Sequence, residues 1–189
     1  MKDYARYRWF YTSKNTLVVG GKNAAQNDEL LTHMLAMKQS YYVLHTSAPG
    51  SPFSAIIKER GKVSNEELKE TAIFTACFSQ AWKTRAKKTS VDIFTCEQLS
   101  KPKGAKIGMW HVKGKVKKIE VALKLVLTKQ KGVLRAVPLQ SATRVLARIS
   151  PGNLDKQVAV AQCEVILDNN VSHDELMAAL PAGNMAVST

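Results

Sequence analysis

The chain has 189 residues, 45% of them hydrophobic and 23% charged, which is typical of one globular domain that buries a core without disulfides or metal ions. No apolar run approaches the roughly 20 residues of a membrane-spanning helix, and the N-terminus lacks the apolar segment of a secretion signal. We therefore expect a cytoplasmic protein with no membrane contact. Cys77, Cys96 and Cys163 fit neither a disulfide framework nor a zinc site, so we predict buried, reduced thiols and neither a metal ion nor a cofactor.

The net charge of +13 is concentrated in one segment of the chain. Residues 83–135 contain fifteen Lys and Arg against three Asp and Glu, whereas residues 1–82 contain ten against seven and residues 136–189 contain three against five. Charge that served only solubility would be spread more evenly. The asymmetry therefore indicates a surface that attracts a polyanion.

The first part of the chain predicts four strands and two helices. Aromatic and β-branched residues favour strands in YRWFYTS, TLVVG, SYYVLHTS and FSAIIKE, with KN and APGSP as turns. Apolar periodicity predicts helices from about Ala24 to Lys38 and from about Asn65 to Lys87. The second helix opens on a capping box formed by Ser64 and Glu67.

The second part predicts strands followed by helices. VDIFTC favours a strand, and apolar residues at every odd position from Ile119 to Leu127 predict one half-buried strand, which KQKG turns back into VLRAVPL. The remainder, LDKQVAVAQCEVIL and SHDELMAALP, is predicted to be helical, so residues 119–180 would form a strand hairpin and helices. We predict a single α+β domain over residues 1–189, with a mixed, largely antiparallel sheet packed with helices.

The segment GGKNAAQN lies between a predicted strand and a predicted helix, yet it matches neither GxGxxG nor GxxxxGK[ST]. Glycines allow the backbone to approach a ligand, and a helix N-terminus offers free amides to an anion. Lys22, Asn23, Gln26 and Asn27 would add one charge and three amide side chains. A capped turn without any ligand explains the same residues equally well.

His45 follows a predicted strand and precedes a Pro-Gly turn. The four histidines of the chain show no metal-binding spacing. A catalytic histidine would need a nucleophile and an orienting acid, and Ser47, Ser51 and Cys77 offer no recognised spacing. We predict no catalytic residue, and we interpret His45 either as a polar contact to a ligand or as a structural histidine.

Residues 100–118, SKPKGAKIGMWHVKGKVKK, are called the basic loop and contain seven lysines and no acidic residue. A charged run is most often a solvated surface. Here glycines separate the lysines, and Trp110 and His111 lie among them, as in a loop that follows a phosphate backbone and offers planar rings. Trp82, beside Lys83 and Arg85, is either a core residue or a ring on which a base stacks.

These segments together resemble the RNA-binding NFACT-R domain, found in ribosome quality-control proteins of the NFACT family and in stand-alone proteins. The resemblance is carried by RWFYTSKNTLVVGGKNAAQNDELL, YYVLHTSAPGSP, TACFSQAW and DIFTCEQLSKPKGAKIGMWHVKGK, and it covers about residues 8–115. It implies an α+β module that, in multidomain members, helps to hold tRNA on the large ribosomal subunit. The acid that the family usually carries before its histidine is absent here. The N-terminal NFACT domain and the coiled coil also have no counterpart, so only the binding module is expected.

The resemblance and the charge pattern together predict a nucleic-acid-binding surface. The resemblance implies roles for the matching polar residues Arg8, Lys22, Asn23, Gln26, Asn27, His45, Ser79, Trp82, Gln98, Lys101 and Lys106. Charge and position add Lys83, Arg85, Lys103, Trp110, Lys113, Lys115 and Lys117.

We therefore expect a non-enzymatic domain that binds RNA, either tRNA or ribosomal RNA, with the large ribosomal subunit as a further partner. Two other classes stay open. A ribosome-associated adaptor would bind protein and hold nucleic acid only through charge, and a small RNA-modifying enzyme would use Cys77, Cys96 or His45. DNA is an alternative ligand, because phosphate contacts alone do not distinguish the sugars.

Overall fold

Five helices and three antiparallel sheets form the computed structural model, which describes residues 1, 3–37, 39–168 and 170–189. The helices are α1 (Ala24–Ala36), α2 (Asn65–Cys77), α3 (Gln80–Lys83), α4 (Lys156–Ile166) and α5 (His173–Ala179). The strands are β1 (Arg8–Tyr11), β2 (Leu17–Gly20), β3 (Tyr42–Thr46), β4 (Ser54–Ile56), β5 (Lys88–Thr95), β6 (Leu99–Ser100), β7 (His111–Val112), β8 (Lys117–Ala122), β9 (Leu125–Gln130), β10 (Val133–Val137), β11 (Ala147–Leu154) and β12 (Met185–Ser188). The predicted α+β class is confirmed. No helix within the described ranges is long and apolar enough to cross a membrane.

The central layer is a six-stranded sheet in the order β1-β2-β4-β3-β5-β8. Successive side chains of a strand point to opposite faces, so the neighbours Val18 and Val19 enter different parts of the core. Val19 and Phe94 pack with α1 on one face, whereas Val18 packs with α2 on the other. The sheet therefore separates a smaller hydrophobic cluster under α1 from a larger one under α2.

A second sheet, in the order β10-β9-β11-β12, shares the larger cluster with α2. Phe74 of α2 belongs to the same buried set as Leu127 and Leu134 of this sheet. Gln130 also joins the two sheets, since its side-chain amide accepts from the Tyr11 backbone N–H at 2.7 Å and donates to the Tyr11 carbonyl at 2.8 Å. One continuous core thus extends through both sheets.

The odd-numbered side chains from Ile119 to Leu127 point inward, as the apolar alternation predicted, but the prediction of one strand was wrong. β8 ends at Ala122, and β9 begins at Leu125 in the other sheet. Between them lies Leu123, only 2% exposed, whose backbone N–H donates to the Lys87 carbonyl at 3.2 Å. Because both sheets share one core, the chain changes sheet while its odd-numbered side chains stay inside.

The helix predicted from Asn65 to Lys87 is in fact two helices. Ser79 has an extended backbone, with φ −105° and ψ 178°, between α2 and α3. Its hydroxyl donates to the Ala76 carbonyl at 2.7 Å and accepts from the Ala81 N–H at 3.1 Å. Ser79 therefore caps α3 instead of continuing α2. Helix α1 ends at Ala36, and its predicted last residue, Lys38, lies outside the described residues.

Helices α4 and α5 confirm the C-terminal helix predictions, but the strands β11 and β12 were not predicted. Pro151 and Gly152 are residue types that disfavour the interior of a strand, yet both belong to β11. The pairing register shifts between Pro151 and Leu154, because proline has no N–H to donate to the ladder. A Cβ at Gly152 would lie 2.4 Å from the Ala186 backbone nitrogen, so the two strands approach closely only at a glycine.

Cys77, Cys96 and Cys163 are free and buried, as predicted. Burial raises the pKa of both Cys96 and Cys163 to about 11, and it raises the pKa of Cys77 well above its ordinary value. The thiolate is the nucleophilic form of cysteine. These thiols are therefore poorly suited to nucleophilic catalysis.

Glu67 is fully buried at the start of α2, where it completes the predicted capping box with Ser64. Its carboxylate accepts from the Ser64 N–H at 2.8 Å and from the Thr16 hydroxyl, and it lies 3.1 Å from the Lys58 ammonium. Burial alone would raise the pKa of Glu67, but these hydrogen bonds outweigh burial and hold its pKa at about 2.

Replacing Glu67 by Gln should lower the free energy of unfolding at pH 7 by on the order of 3 kcal/mol, because buried donors and a cation lose their anion. Since the folded-state pKa lies below the unfolded value, this stabilisation is complete above about pH 4.5 and is lost as the pH falls toward 2. Denaturant unfolding at pH 7 and pH 3 measures the free energy of unfolding of both proteins. The difference in this free energy between variant and wild type should be roughly halved at pH 3.

Glu66→Gln is the matched control. Glu66 is exposed and pairs with Lys14 at 3.3 Å, so solvent screens this pair and its loss should change stability far less than the loss of Glu67. Equal effects of the two substitutions would contradict the role given to Glu67.

Candidate nucleic-acid interface

A cleft of about 780 Å³ lies where four segments that are distant in the sequence meet. It is bordered by the start of α1 (residues 21–24), the loop from β3 to β4 (45–53), the junction of α2 and α3 (78–80) and part of the basic loop (106–110). Each segment belongs to one of the motifs that carry the sequence resemblance. The fold therefore brings these motifs to one concave surface.

The start of α1 is built by its own amide side chains. Asn23 caps the helix, because its Oδ1 accepts from the Gln26 N–H at 2.9 Å. Gln26 in turn accepts from the Lys22 N–H at 3.0 Å and donates to the Arg6 carbonyl at 3.3 Å. These amides shape the turn, and their hydrogen bonds are made within the protein.

Asn27 joins this turn to the opposite wall of the cleft. It is 8% exposed, and its Oδ1 accepts from the Phe53 N–H at 3.1 Å. A Cβ at Gly21 would lie 2.2 Å from the same oxygen, so only glycine leaves room for Asn27. The second glycine of GGKNAAQN thus allows a close internal contact.

His45 and Asp92 form part of the floor of the cleft, where β3 pairs with β5. His45 is half-buried, and its Nδ1 lies 2.7 Å from the Thr46 carbonyl oxygen. Its ring centroid lies 4.4 Å from that of Phe53. Burial lowers the pKa of His45, although the Thr46 carbonyl and the charge of Asp92 oppose this shift. The imidazole is therefore neutral near pH 7.

Asp28 holds the basic loop against α1. Its carboxylate pairs with the Lys101 ammonium, and it accepts from the Gly108 N–H at 3.0 Å and from the Trp110 indole N–H at 2.7 Å. Burial would raise the pKa of Asp28, but these three donors outweigh burial and lower it. The Lys101 ammonium also lies 5.5 Å from the centre of the Trp110 ring.

Gly108 brings the loop into direct contact with the first residue of α1. Its φ of +82° is in the region that favours glycine, and a Cβ there would lie 2.8 Å from the Ala24 Cβ. A larger residue would push the loop off the helix and open the cleft on this side.

Gln98 organises the other end of the basic loop. Its Nε2 donates to the carbonyls of Lys113 and Lys115, both at 2.9 Å, and its Oε1 accepts from the Thr95 N–H at 3.0 Å. Gln98 therefore supports the backbone that carries the lysines, and its contact with a nucleic acid stays a prediction.

Four cations line the cleft, namely Arg8, Lys22, Lys83 and Lys106. The Arg8 guanidinium lies 4.9 Å from the centre of the Phe78 ring. Burial lowers the pKa of Arg8, and burial together with the charges of Arg8 and Arg135 lowers the pKa of Lys22. Among the described residues, none of the four cations forms an ion pair with a carboxylate.

The structure brings half of the predicted site residues to this cleft. They are Arg8, Lys22, Asn23, Asn27, His45, Ser79, Lys83, Lys106 and Trp110. The others do not line it, namely Gln26, Trp82, Arg85, Gln98, Lys101, Lys103, Lys113, Lys115 and Lys117. The last three lysines and Lys103 are exposed on the basic loop beside the cleft.

The suggestion that Trp82 stacks on a base was wrong. Its side chain is 0% exposed and lies in the larger hydrophobic cluster, so no ligand can reach it without unfolding. Arg85 is exposed but donates to the Asn153 side chain at 2.7 Å, away from the cleft. Trp110 is half-buried at the cleft and is the ring that a base can contact.

Several residues of the cleft were missed by the sequence analysis. The acid Asp92 and the aromatic Phe94 were assigned only to a strand, although β5 turns both toward the cleft. Ile107 and Met109 are 69% and 48% exposed at its edge. Apolar residues within a run of seven lysines are the one sequence signal that could have indicated a ligand with flat, apolar surfaces.

Comparisons with known proteins match the part of the chain that contains most of the residues of the cleft. Residues 6–117 match the family model described as the NFACT protein RNA binding domain. The archaeal Rqc2 homolog aRqcH of Methanocaldococcus jannaschii is 26% identical over 98% of this chain and 29% of its own length. The Rqc2 homolog RqcH of Streptococcus suis is 32% identical over 57% of this chain and 18% of its own length.

Two further relatives have similar coverage. The ribosome quality control complex subunit NEMF homolog of Drosophila melanogaster is 27% identical over 59% of this chain and 12% of its own length. The solved C-terminal part of the fibronectin/fibrinogen-binding protein of Streptococcus suis has a TM-score of 0.54 and 28% identity, covering 61% of this chain and 44% of that one. The chain spans less than a third of each curated relative. Because the family model covers more than half of the chain, this protein belongs to the NFACT RNA-binding domain family.

Proposed function

We propose that this chain binds RNA at the cleft and the adjoining basic loop, without catalysing a reaction. The observation that carries the proposal is the group of cations at the cleft, Arg8, Lys22, Lys83 and Lys106, which have no acidic partner among the described residues. Arg8 is half-buried, and Lys22, Lys83 and Lys106 are exposed around the same concave surface. Like charges gathered on one concave surface create a positive potential that attracts an anion. A phosphate group is the anion of a nucleic acid that these cations would bind.

The exposed lysines of the basic loop would extend the contact along the phosphate backbone. Lys103, Lys113 and Lys115 are exposed on the same loop as the cleft-lining Lys106. Each lysine that neutralises a phosphate releases counterions, so binding should weaken steeply as salt increases.

We further propose that the ligand is tRNA or ribosomal RNA, and that binding serves ribosome quality control in the cytoplasm. The family match and the Rqc2 and NEMF relatives support this assignment. Since the chain corresponds to a small part of those relatives, we assign it the RNA-holding step alone. An enzyme that uses a thiol is disfavoured, because all three cysteines are buried and have raised pKa values.

A salt titration distinguishes RNA recognition from an adaptor that holds polyanions only through charge. Fluorescence anisotropy should show tighter binding of tRNA than of heparin at 150 mM salt, since heparin matches the charge but not the bases. Equal affinities for the two ligands at every salt concentration would support the adaptor instead.

Changing Lys103, Lys106 and Lys113 together to Gln should weaken tRNA binding at least tenfold. The slope of log affinity against log salt should fall by about 0.7 to 0.9 for each lysine that contacts a phosphate. Lys101 is left unchanged, because its ion pair with Asp28 holds the loop. The measurement is anisotropy at four salt concentrations, with circular dichroism to confirm folding.

The matched control changes Lys14, Lys62 and Lys69 to Gln. These lysines are exposed and do not line the cleft, so the same loss of charge should change affinity by less than about threefold. Similar losses in both triple variants would mean that only net charge matters and would contradict a located site.

Replacing Asp28 by Ala provides a test in which charge and position predict opposite results. Removing an acid near a polyanion site should by charge alone strengthen RNA binding. If Asp28 positions the basic loop, its loss should weaken binding about tenfold and increase hydrogen exchange at residues 106–112.

Glu29→Ala is the control for this experiment. Glu29 is on the same helix and carries the same charge, but it pairs with Arg6 and not with the basic loop. It should leave loop exchange unchanged and affinity equal or slightly higher. Tighter binding by the Asp28 variant would contradict the positioning role.

A further inference from the structure

The floor of the cleft differs chemically from its rim. Cations lie around the cleft, whereas His45 and Asp92 on the floor are directly paired across β3 and β5. Cross-strand partners carry their side chains on the same face of a sheet, with Cβ atoms about 5 Å apart. A phosphate would be attracted to the cations and repelled by Asp92, so the floor suits a different part of a nucleotide.

The neutral His45 presents a hydrogen-bond acceptor to the cleft. Its Nδ1 lies 2.7 Å from the Thr46 carbonyl, which can only accept, so Nδ1 carries the proton. A neutral imidazole has one proton, and Nε2 therefore keeps a free lone pair. Within the described part of the chain Nε2 has no hydrogen-bond partner, and it is not among the buried unpaired atoms.

Asp92 adds a second acceptor beside His45. Its Oδ1 accepts from the Ser47 hydroxyl at 2.5 Å and lies 3.7 Å from the Lys118 ammonium. The side chain is 23% exposed, so the carboxylate is held in place but open to the cleft. Two neighbouring acceptors favour a ligand group that donates hydrogen bonds, such as a hydroxyl or an amine.

Apolar side chains line part of the same cleft. Phe53 packs on the His45 ring, and Phe94 lies on the same face of β5 as Asp92. Ile107 and Met109 are exposed at the edge of the basic loop. These apolar side chains suit the flat face of a base and the carbon atoms of a ribose. A nucleotide that is base-paired in a double helix cannot enter a concave site, whereas an unpaired nucleotide can.

We propose that the cleft takes up one unpaired nucleotide of the RNA and that Nε2 of His45, beside the Asp92 carboxylate, accepts the hydrogen bond of its ribose 2′-hydroxyl, so that the domain prefers RNA to DNA. This inference rests on the proposed function and names the part of the ligand that the cleft recognises. DNA has no 2′-hydroxyl, and its deoxyribose would leave Nε2 of His45 without this donor. Since an unsatisfied partly buried acceptor is costly, the preference should be about tenfold.

The direct test changes the ligand and leaves the protein intact. Three hairpins with the same RNA stem are compared by anisotropy: one with an unpaired RNA tail, one with the same tail as 2′-deoxynucleotides, and one without a tail. The wild-type domain should bind the RNA-tailed hairpin about tenfold more tightly than either of the others. Single 2′-deoxy substitutions along the tail should place most of this loss at one nucleotide.

Two substitutions at His45 test the acceptor itself. His45→Phe keeps a ring against Phe53 but removes the nitrogen, and it should bind the RNA tail and the deoxy tail equally. His45→Gln places an amide oxygen near the position of Nε2 and should retain part of the preference. His33→Phe, on the exposed surface of α1, is the control and should keep the full preference. Thermal unfolding of each variant confirms that it is folded.

The possible failures are distinguishable. If the wild-type domain binds all three hairpins equally, RNA binding stands and the recognition of the 2′-hydroxyl is overturned. A folded His45→Phe variant that keeps the full preference overturns it as well. If the wild-type domain binds none of the hairpins, the proposed function itself fails, and this inference fails with it.

Discussion

The contact between Asp28 and the basic loop is the interaction on which the shape of the cleft depends. Seven lysines repel one another, and a loop that carries them would by itself extend into water. The carboxylate of Asp28, in the first half of α1, pairs with an ammonium and accepts hydrogen bonds from an indole N–H and a backbone N–H of this loop. Gly108 allows the backbone to approach Ala24 closely enough for these bonds to form. A charged surface segment thereby becomes a fixed wall of the cleft.

The polar residues of the motifs have different roles, because some of them use their hydrogen-bonding groups within the protein and others do not. The amides of Asn23, Gln26 and Gln98 are engaged within the protein, where they shape the turn of α1 and the ends of the basic loop. The cations of the cleft and the acceptors on its floor are the residues whose polar groups can still bind a ligand. A polar residue in a binding motif can thus support the site without touching the ligand.

Much of the fold could be predicted, because local patterns often agree with the final environment. Capping boxes mark the starts of α2 and α5, and the turn at Lys131 and Gly132 joins β9 to β10 with positive φ at both residues. Predictions failed where the environment came from distant residues. Leu123 fits a strand pattern, yet the chain changes sheet there, and Ser79 interrupts a continuous helical pattern by capping a second helix.

By itself the sequence determined the α+β class, the buried thiols, the position of the excess charge and the motifs from which the candidate site is assembled. These depend on composition and short-range periodicity, which are visible along the chain. Only the tertiary structure decided that Trp82 is in the core while Trp110 borders the cleft, and that Asp92 lies opposite His45. The physical reason is that burial and cross-strand pairing are set by residues far apart in sequence. A tryptophan beside lysines looks the same in the sequence whether its ring faces the core or the solvent.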